Sequence, residues 1–411
     1  MTEVDIRSII TTVAAKKKRR KERIGIMTSQ QNFHRKQMNL HQTLSGLLAL
    51  IKRNIVLTVA IALAIATSFI IPPDQAYLSY FDWKTLTCLF CTLAVICALK
   101  NIKFFTFLSQ KIVFCTGTLR MAVLSLVYIT FLGSMLISND MALLTFLPLG
   151  YFVLSSTKNE RHMAFVFIMQ NIAANLGGML TPFGNPQNLY LYSKFNIPTG
   201  EFMGIMLLPF LASIALITVC CLFLPSAALS ISDPYRYRLP PVRTGIYLFL
   251  FAFSIIIVFR LIPYWIGLIL IPLALLFLDR GALKKVDYGL LATFFCFFIF
   301  AGNMARIPAV STLFSSLLEK NTLLVSILSC QVISNVPSAV LLSQFTTNYK
   351  ALLLGVNIGG TGTLIASLAS LISFREYVSH NPTRAGSYLA KFSAYNFSFV
   401  IVLTLLCMAI L

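Results

Sequence analysis

A stretch of 36 residues, Met121–Ser156, contains a single formal charge, Asp140. A membrane-spanning helix needs about 20 apolar residues, so this stretch is long enough for two helical segments. Its only polar break is Ser138–Asn139–Asp140, near its middle. We therefore predict a re-entrant hairpin of two short helices that meet at this polar tip. Irregular backbone at membrane depth occurs only where it is buried in protein or lines a cavity.

The whole chain has the composition of a membrane protein. Charged residues make up 11% of the 411 residues and hydrophobic residues 57%, whereas soluble domains contain about 25% charged residues. So few charges cannot cover the surface of a soluble domain, which excludes a soluble enzyme as the main body. The apolar runs are continuous rather than alternating, which favours helices over a β-barrel. The sequence predicts an all-α polytopic membrane protein with about ten transmembrane helices and two re-entrant hairpins.

The chain has a formal net charge of +20, and its basic residues are concentrated near the N-terminus. Lys16–Lys21 is an unbroken basic run, and residues 1–44 are polar and basic overall. Cytoplasmic flanks of membrane helices collect Lys and Arg, and such a run can contact anionic lipid. We predict a multi-pass protein of the plasma (inner) membrane with a basic cytoplasmic extension over residues 1–44, in contact with the lipid bilayer and not with nucleic acid.

The apolar runs predict the positions of the membrane segments. One run, Phe104–Cys115, is weak enough to lie along the membrane interface. The others are Ile55–Ile71, Thr85–Leu99, Met163–Leu180, Phe202–Leu224, Gly245–Phe259, Ile262–Leu278, Leu290–Met304, Leu323–Leu342, Ala351–Ser373 and Phe392–Leu411. The run Leu323–Leu342 is interrupted over Ser334–Ser338.

The two halves of the chain contain the same interruptions in the same order. Ser138–Asn139 matches Ser334–Asn335 at an offset of 196, and Asn175–Gly178 matches Asn357–Gly360 at an offset of 182. Thr181 matches Thr363 at the latter offset. Paired interruptions in corresponding halves indicate the binding site of a secondary transporter. We predict a first membrane repeat over residues 45–229, a hinge loop over 230–243 and a second membrane repeat over 244–411.

The polar tips and breaks can bind ions of either sign. Each Ser-Asn precedes a helix and can cap it, and the N–H groups and dipole at a helix start attract an anion. Carbonyls, together with Ser and Asn oxygens, can instead bind Na⁺; the alternative is that these groups only cap helices. The predicted substrate-binding residues are Ser138, Asn139, Asn185, Asn188, Ser334, Asn335, Thr363 and Ser367. The predicted cation-coupling residues are Asp140, Ser138, Asn139, Gly177, Gly178, Asn335, Gly359 and Gly360.

Asp140 is the one acid within the first hairpin, and its counterpart in the second is Val336. An intramembrane carboxylate normally faces a cavity or a partner, so it can bind Na⁺ or exchange a proton. The alternative is a helix cap paired with Arg120 or Lys111. Arg306 is either a counter-ion for an anion or a loop anchor. No metal site, catalytic set or bound cofactor is predicted, apart from Na⁺ or H⁺ as the coupling ion.

The break from Gly177–Gly178 through Thr181–Pro182–Phe183–Gly184–Asn185–Pro186–Gln187–Asn188 resembles the "GG-x-x-TPxGNPxN" motif of the ion transporter superfamily. Asn357–Ser370 resembles its second-half partner. ArsB-type arsenite permeases and CitMHS-type citrate transporters are the most similar branches, and divalent anion/sodium symporters are more distant. The resemblance implies an inverted repeat and a scaffold that often forms a homodimer. The superfamily's Ser-Asn-Thr sodium tips match Ser-Asn-Asp and Ser-Asn-Val here, so the first tip favours proton coupling.

These observations predict a secondary active transporter of a small anion, driven by a proton or sodium gradient. Citrate-like carboxylates and inorganic oxyanions are the expected substrates. A sodium/proton antiporter and an arsenite-type efflux permease remain alternatives, and a channel or non-transporting scaffold is a further one.

Overall fold

The computed structural model describes residues 55–113, 116–228 and 238–411. Helices account for 81% of the structure, and the described residues form no β-strand. The predicted basic extension and most of the predicted hinge lie outside the described residues. All packing described below lies within residues 60–411, the larger of two compact units.

Seventeen α-helices follow one another along the described chain. In the first half they are α1 Ile55–Ile70, α2 Trp83–Asn101, α3 Phe104–Val113, α4 Leu119–Ile137, α5 Asn139–Ser156, α6 Met163–Gly177, α7 Pro186–Lys194 and α8 Thr199–Leu222. In the second half they are α9 Pro241–Val258, α10 Tyr264–Leu278, α11 Arg280–Lys284, α12 Tyr288–Ala305, α13 Pro308–Ile333, α14 Asn335–Leu342, α15 Tyr349–Gly359, α16 Leu368–His380 and α17 Ala385–Ile410.

Seven of the helices in the described chain are long and apolar enough to cross a membrane: α2, α4, α8, α9, α12, α13 and α17. Two shorter apolar helices, α1 and α10, add to them. The prediction of an all-α polytopic membrane protein is therefore confirmed. The orientation of the N-terminus and the exact number of spans stay predictions.

The hairpin arms differ in length from what the sequence predicted. Helices α4 and α5 have 19 and 18 residues, which at 1.5 Å per residue makes each about 28 Å long, so the expectation of two short helices was wrong. In the second hairpin, α13 is kinked at Asn321, where φ is −163°, and α14 has only 8 residues. The interruption between them is the single residue Ser334, not the five residues Ser334–Ser338.

The helices that precede the two breaks are the most enclosed parts of the fold. Every residue of 166–177 in α6 and of 351–359 in α15 is buried. Because this burial is by other residues of the chain, these segments are surrounded by protein on all sides. Both breaks therefore begin inside the protein rather than against lipid, as irregular backbone in a membrane requires.

Equivalent helices make equivalent contacts in the two halves. Helix α4 packs on α5 and α6, and α13 packs on α14 and α15. The second arm of each hairpin also crosses to the other half, because α5 packs on α16 and α14 packs on α7. Each hairpin thus lies against the short helix that follows the break of the opposite half. The repeat boundaries and the opposite orientation of the halves in the membrane stay predictions.

Candidate functional site

Both hairpin tips turn at a serine with the same unusual backbone conformation. Ser138 has φ 70° and ψ 156°, and Ser334 has φ 76° and ψ 158°. Non-glycine residues rarely adopt this region, which costs about 1–3 kcal/mol. Neither serine hydroxyl caps the following helix. The cap bonds come instead from Asn139 and Asn335, whose side-chain oxygens accept from the next backbone N–H at 3.0 and 2.9 Å.

A threonine in each break is tied to the hairpin of its own half. The Thr181 hydroxyl donates to the Met135 carbonyl at 3.1 Å, and the Thr363 hydroxyl donates to the Gln331 carbonyl at 3.1 Å. Met135 and Gln331 each lie three residues before the tip serine. The two hydrogen bonds therefore join equivalent residues, since Met135 and Gln331 are separated by the tip offset of 196 and the two threonines by the break offset of 182.

The first tip is joined to the first break through side-chain amides. Asn139 Nδ2 donates to Asn175 Oδ1 at 3.0 Å, and Asn185 Nδ2 donates to the Asn175 carbonyl at 3.4 Å. Gly177 allows this approach, since a Cβ there would lie 2.1 Å from the Phe131 carbonyl oxygen. Asn175 was not among the predicted site residues, although its place before the two glycines was a signal for it.

The two breaks are joined to each other by Asn188. Its Nδ2 donates to the carbonyls of Gly178 and Met179 at 3.2 and 3.3 Å, and its Oδ1 accepts from Asn357 Nδ2 at 2.6 Å. Asn188 is fully buried. In this conformation its amide is therefore used within the protein, as the link between the halves. Asn357 is a second residue that the site prediction missed.

The second tip is joined to the second break through its backbone. The Asn335 N–H donates to the Ala366 carbonyl at 3.0 Å, and the Ser334 hydroxyl donates to the same carbonyl at 3.2 Å. Ser367 caps α16 by accepting from the Ser370 N–H at 3.2 Å. Gly359, a predicted coupling residue, accepts from Gln331 Nε2 through its carbonyl at 2.9 Å.

Asp140 extends from the first tip to the second half. Its carboxylate lies close to the backbone N–H of Ala369, in the first turn of α16, and Oδ1 is buried without a hydrogen-bond partner among the described residues. Asp140 forms no salt bridge within the described chain. Arg120 donates instead to the Leu224 carbonyl at 2.8 Å. The predicted alternative of a carboxylate paired with Arg120 is therefore wrong.

Both tips thus contact one short segment of the second break. Ala366 and Ala369 are three residues apart, so their Cα atoms are separated by at most about 11 Å. The backbone of Asn335 contacts the first and the carboxylate of Asp140 lies beside the second.

Comparison with known proteins identifies the family of this chain. The family described as "Citrate transporter", CitMHS, matches residues 46–349. The chain belongs to the citrate transporter family. The match includes both hairpin tips and the first break, and it ends shortly before the second break.

Two relatives are similar to this transporter over most of their length. An uncharacterized transporter of Methanocaldococcus jannaschii is 31% identical over 309 residues, which is 75% of this chain and 84% of the relative. The inner membrane protein YbiR of Escherichia coli is 29% identical over 325 residues, which is 77% of this chain and 86% of the relative. The family and the archaeal relative agree on a transporter, and neither relative's name contains a substrate.

Several buried oxygen atoms near the breaks of this transporter have no hydrogen-bond partner among the described residues. Besides Asp140 Oδ1, they are Asn185 Oδ1, Gln187 Oε1, Asn357 Oδ1 and Thr361 Oγ1. Buried polar groups are normally paired, so these acceptors have capacity for a cation or a hydrogen-bond donor. Gln187 and Thr361 were not predicted as site residues, because only the tertiary structure buries them without partners.

Arg306 lies outside this site. Its guanidinium binds both carboxylate oxygens of Asp74, at 3.0 and 2.7 Å, and also donates to the Tyr80 hydroxyl at 3.1 Å. This bond to the Arg306 guanidinium is the main cause that holds the pKa of Asp74 below its usual value. Of the two predicted roles, Arg306 therefore serves as the loop anchor. No cluster of metal-binding side chains is found among the residues that the structure describes.

Proposed function

We propose that this chain is a secondary active transporter that moves a small carboxylate or inorganic oxyanion across the plasma membrane, with a proton or Na⁺ gradient as the driver. The observation that carries the proposal is the meeting of two hairpin tips and two helix breaks, linked by Asn188–Asn357 and by the contacts of both tips with residues 366–369. Paired interruptions of this kind form the binding site in many secondary transporters.

The helix termini support an anionic substrate. Helices α5 and α14 begin at the two tips, and α7 and α16 begin at the two breaks. The first N–H groups of a helix have no partner within it, and its N-terminal end is positive. Four helix starts grouped in this way can hold an anion without a cationic side chain.

The buried oxygens support a coupling cation beside that anion. Asp140 has no salt-bridge partner within the described chain, and an uncompensated carboxylate inside a membrane protein is costly. A proton or Na⁺ removes that cost. The equivalent residue, Val336, cannot bind either ion, so the proposal assigns coupling to the first tip.

Flux into proteoliposomes tests the proposal. The purified protein is reconstituted, and uptake of citrate, arsenate and arsenite is measured under an imposed pH or Na⁺ gradient, with protein-free liposomes as the control. We expect saturable accumulation of one of these anions above its equilibrium distribution. Accumulation that follows the pH gradient and not the Na⁺ gradient would assign the coupling to protons.

The same assay separates the alternatives. Collapse of a pH gradient by Na⁺ with no anion present indicates a sodium/proton antiporter, which the unpartnered oxygens around Asp140 would also serve. Gradient-driven movement of arsenite alone indicates an arsenite-type permease. Downhill flux that neither gradient can drive uphill contradicts the proposal and indicates a channel.

A further inference from the structure

The end of helix α9 makes an unusual contact with the end of α7. The Arg260 guanidinium donates to the Asn196 side chain at 2.6 Å and to the Tyr192 carbonyl. Its Cζ also lies 3.9 Å from the centre of the Tyr192 ring. Tyr192 is buried and belongs to the last turn of α7. One arginine thus holds a helix C-terminus by two hydrogen bonds and a cation–π contact.

Two helices end at this point with the same local structure. In α7, the Ile197 N–H donates to the Tyr192 carbonyl and the Asn196 N–H to the Ser193 carbonyl. In α9, the equivalent bonds run from Leu261 to Ile256 and from Arg260 to Ile257. Both ends are Schellman motifs, with Asn196 and Arg260 at the left-handed position, at φ 50° and 65°.

This arrangement gives a physical reason for an arginine at position 260. The C-terminus of α7 carries partial negative charge, and the Arg260 guanidinium, which donates to the Tyr192 carbonyl there, compensates that charge. The left-handed position usually holds glycine, and an arginine there is strained. The side-chain contacts of Arg260 therefore have to offset a backbone cost that glycine would avoid.

The residue before Arg260 contacts the break that precedes α7. Phe259 packs edge-on against Phe183 with ring centres 5.8 Å apart, and Phe183 lies in the first break, three residues before Pro186. Helix α7 has 9 residues and is about 14 Å long. Two consecutive residues at the end of α9 thus contact the C-terminal end of α7 and the break that leads into its N-terminal end.

The position of α7 determines where the amides of the site lie. Asn185 precedes its first residue, and Asn188 in its first turn links the two breaks through Gly178 and Asn357. We infer that Arg260 is a positioning residue, which fixes α7 against the end of α9 and thereby sets the geometry of the amides in both breaks. Its importance for transport rests on the proposed function.

Hydrogen–deuterium exchange of the full chain in lipid nanodiscs tests the inference. In Arg260→Gln we expect the backbone amides of residues 187–196 to exchange about tenfold faster, since charged hydrogen bonds and a cation–π contact are lost. Arg280→Gln is the matched control, because Arg280 donates to the Leu276 carbonyl at the end of α10 at 3.0 Å and is exposed. This control should leave the exchange of α7 unchanged.

Arg260→Gly separates positioning from general stability. Glycine removes the guanidinium and also the left-handed strain. We therefore expect exchange in α7 as fast as in Arg260→Gln, together with a higher unfolding temperature than that variant. Unchanged exchange over residues 187–196 in both variants overturns the inference, as does an increase of equal size in α7 and in α16, the helix that follows the other break.

Citrate uptake adds the functional measurement. Arg260→Gln should raise the KM for citrate by a larger factor than it lowers the maximal rate, and Arg280→Gln should change neither. A lower maximal rate of citrate uptake by Arg260→Gln, with an unchanged KM, contradicts the link between Arg260 and the site. If wild-type protein takes up no anion, the proposed function fails, while the exchange comparison still decides whether Arg260 positions α7.

Discussion

Ser138 and Ser334 stand at equivalent hairpin tips with φ values of 70° and 76°, and only Ser334 uses its hydroxyl to bind the break of its own half, at the Ala366 carbonyl. The same strained turn therefore has different support in the two halves. The first tip depends on the Asn139 amide and the second also on a serine hydroxyl.

This difference predicts unequal effects of glycine at the two tips. Ser138→Gly relieves the left-handed strain at little cost in contacts, whereas Ser334→Gly also loses a hydrogen bond of about 0.5–1.5 kcal/mol. We expect Ser138→Gly to be the more stable variant by about 1 kcal/mol. Thermal unfolding of both in the same nanodiscs measures the difference, and a more stable Ser334→Gly would contradict the account.

Asp140→Asn should remove coupling and preserve the fold. Asparagine keeps the shape of the side chain and can cap a helix, but it cannot exchange a proton. We expect loss of gradient-driven accumulation, with exchange of labelled for unlabelled substrate retained. Val336→Asn, at the equivalent tip, is the control and should accumulate substrate normally. Undiminished proton-driven accumulation by Asp140→Asn would show that Asp140 is not needed for coupling and has only a structural role.

Asn188→Ala should destabilise the protein by about 1–3 kcal/mol, because it leaves buried partners unpaired. Asn357→Ala removes the other half of the 2.6 Å contact. Residues in direct contact give non-additive effects, so the double variant should be more stable than the sum of the single effects predicts. Chemical or thermal unfolding of the four forms measures this coupling, and simple additivity would show that the contact contributes nothing.

Gly177→Ala should lower stability by about 1–3 kcal/mol, since its Cβ would overlap the Phe131 carbonyl and force α4 and α6 apart. Gly204→Ala is the matched control, because it lies within α8 and a Cβ there meets nothing within 4 Å. That control should gain up to about 1 kcal/mol from helix propensity. The two unfolding temperatures should therefore move in opposite directions.

Arg306→Gln should lower the unfolding temperature at neutral pH and have a smaller effect in acid. The bond from Arg306 holds the pKa of Asp74 below its usual value of 3.8. A carboxylate with a lowered folded-state pKa stabilises the protein above its unfolded-state pKa, and this contribution disappears as the pH falls through the folded-state pKa. Unfolding temperatures of wild type and variant should therefore converge below about pH 4. A difference that is constant with pH would contradict this.

The sequence alone determined the class of fold and the places where helices break. Inside a membrane no water can bind the backbone, so a long charge-poor run has to form a helix. A helix such as Leu119–Ile137 could therefore be predicted from composition. The duplicated Ser-Asn and Asn-x-Gly-Gly motifs located both tips and both breaks, because only a few residue types tolerate a turn at that depth. The first half of α13, which ends in Glu319–Lys320, was missed because its charges interrupt the apolar run.

Only the tertiary structure decided how these pieces meet. Asn188 and Asn357 are 169 residues apart in the chain, and no local pattern indicates that their side chains bond. The same holds for Asp140 beside Ala369 and for Arg260 at the end of α7. Periodicity and motif spacing predict the local backbone structure of a segment. Which side chains from distant segments come into contact depends on how whole helices pack against one another.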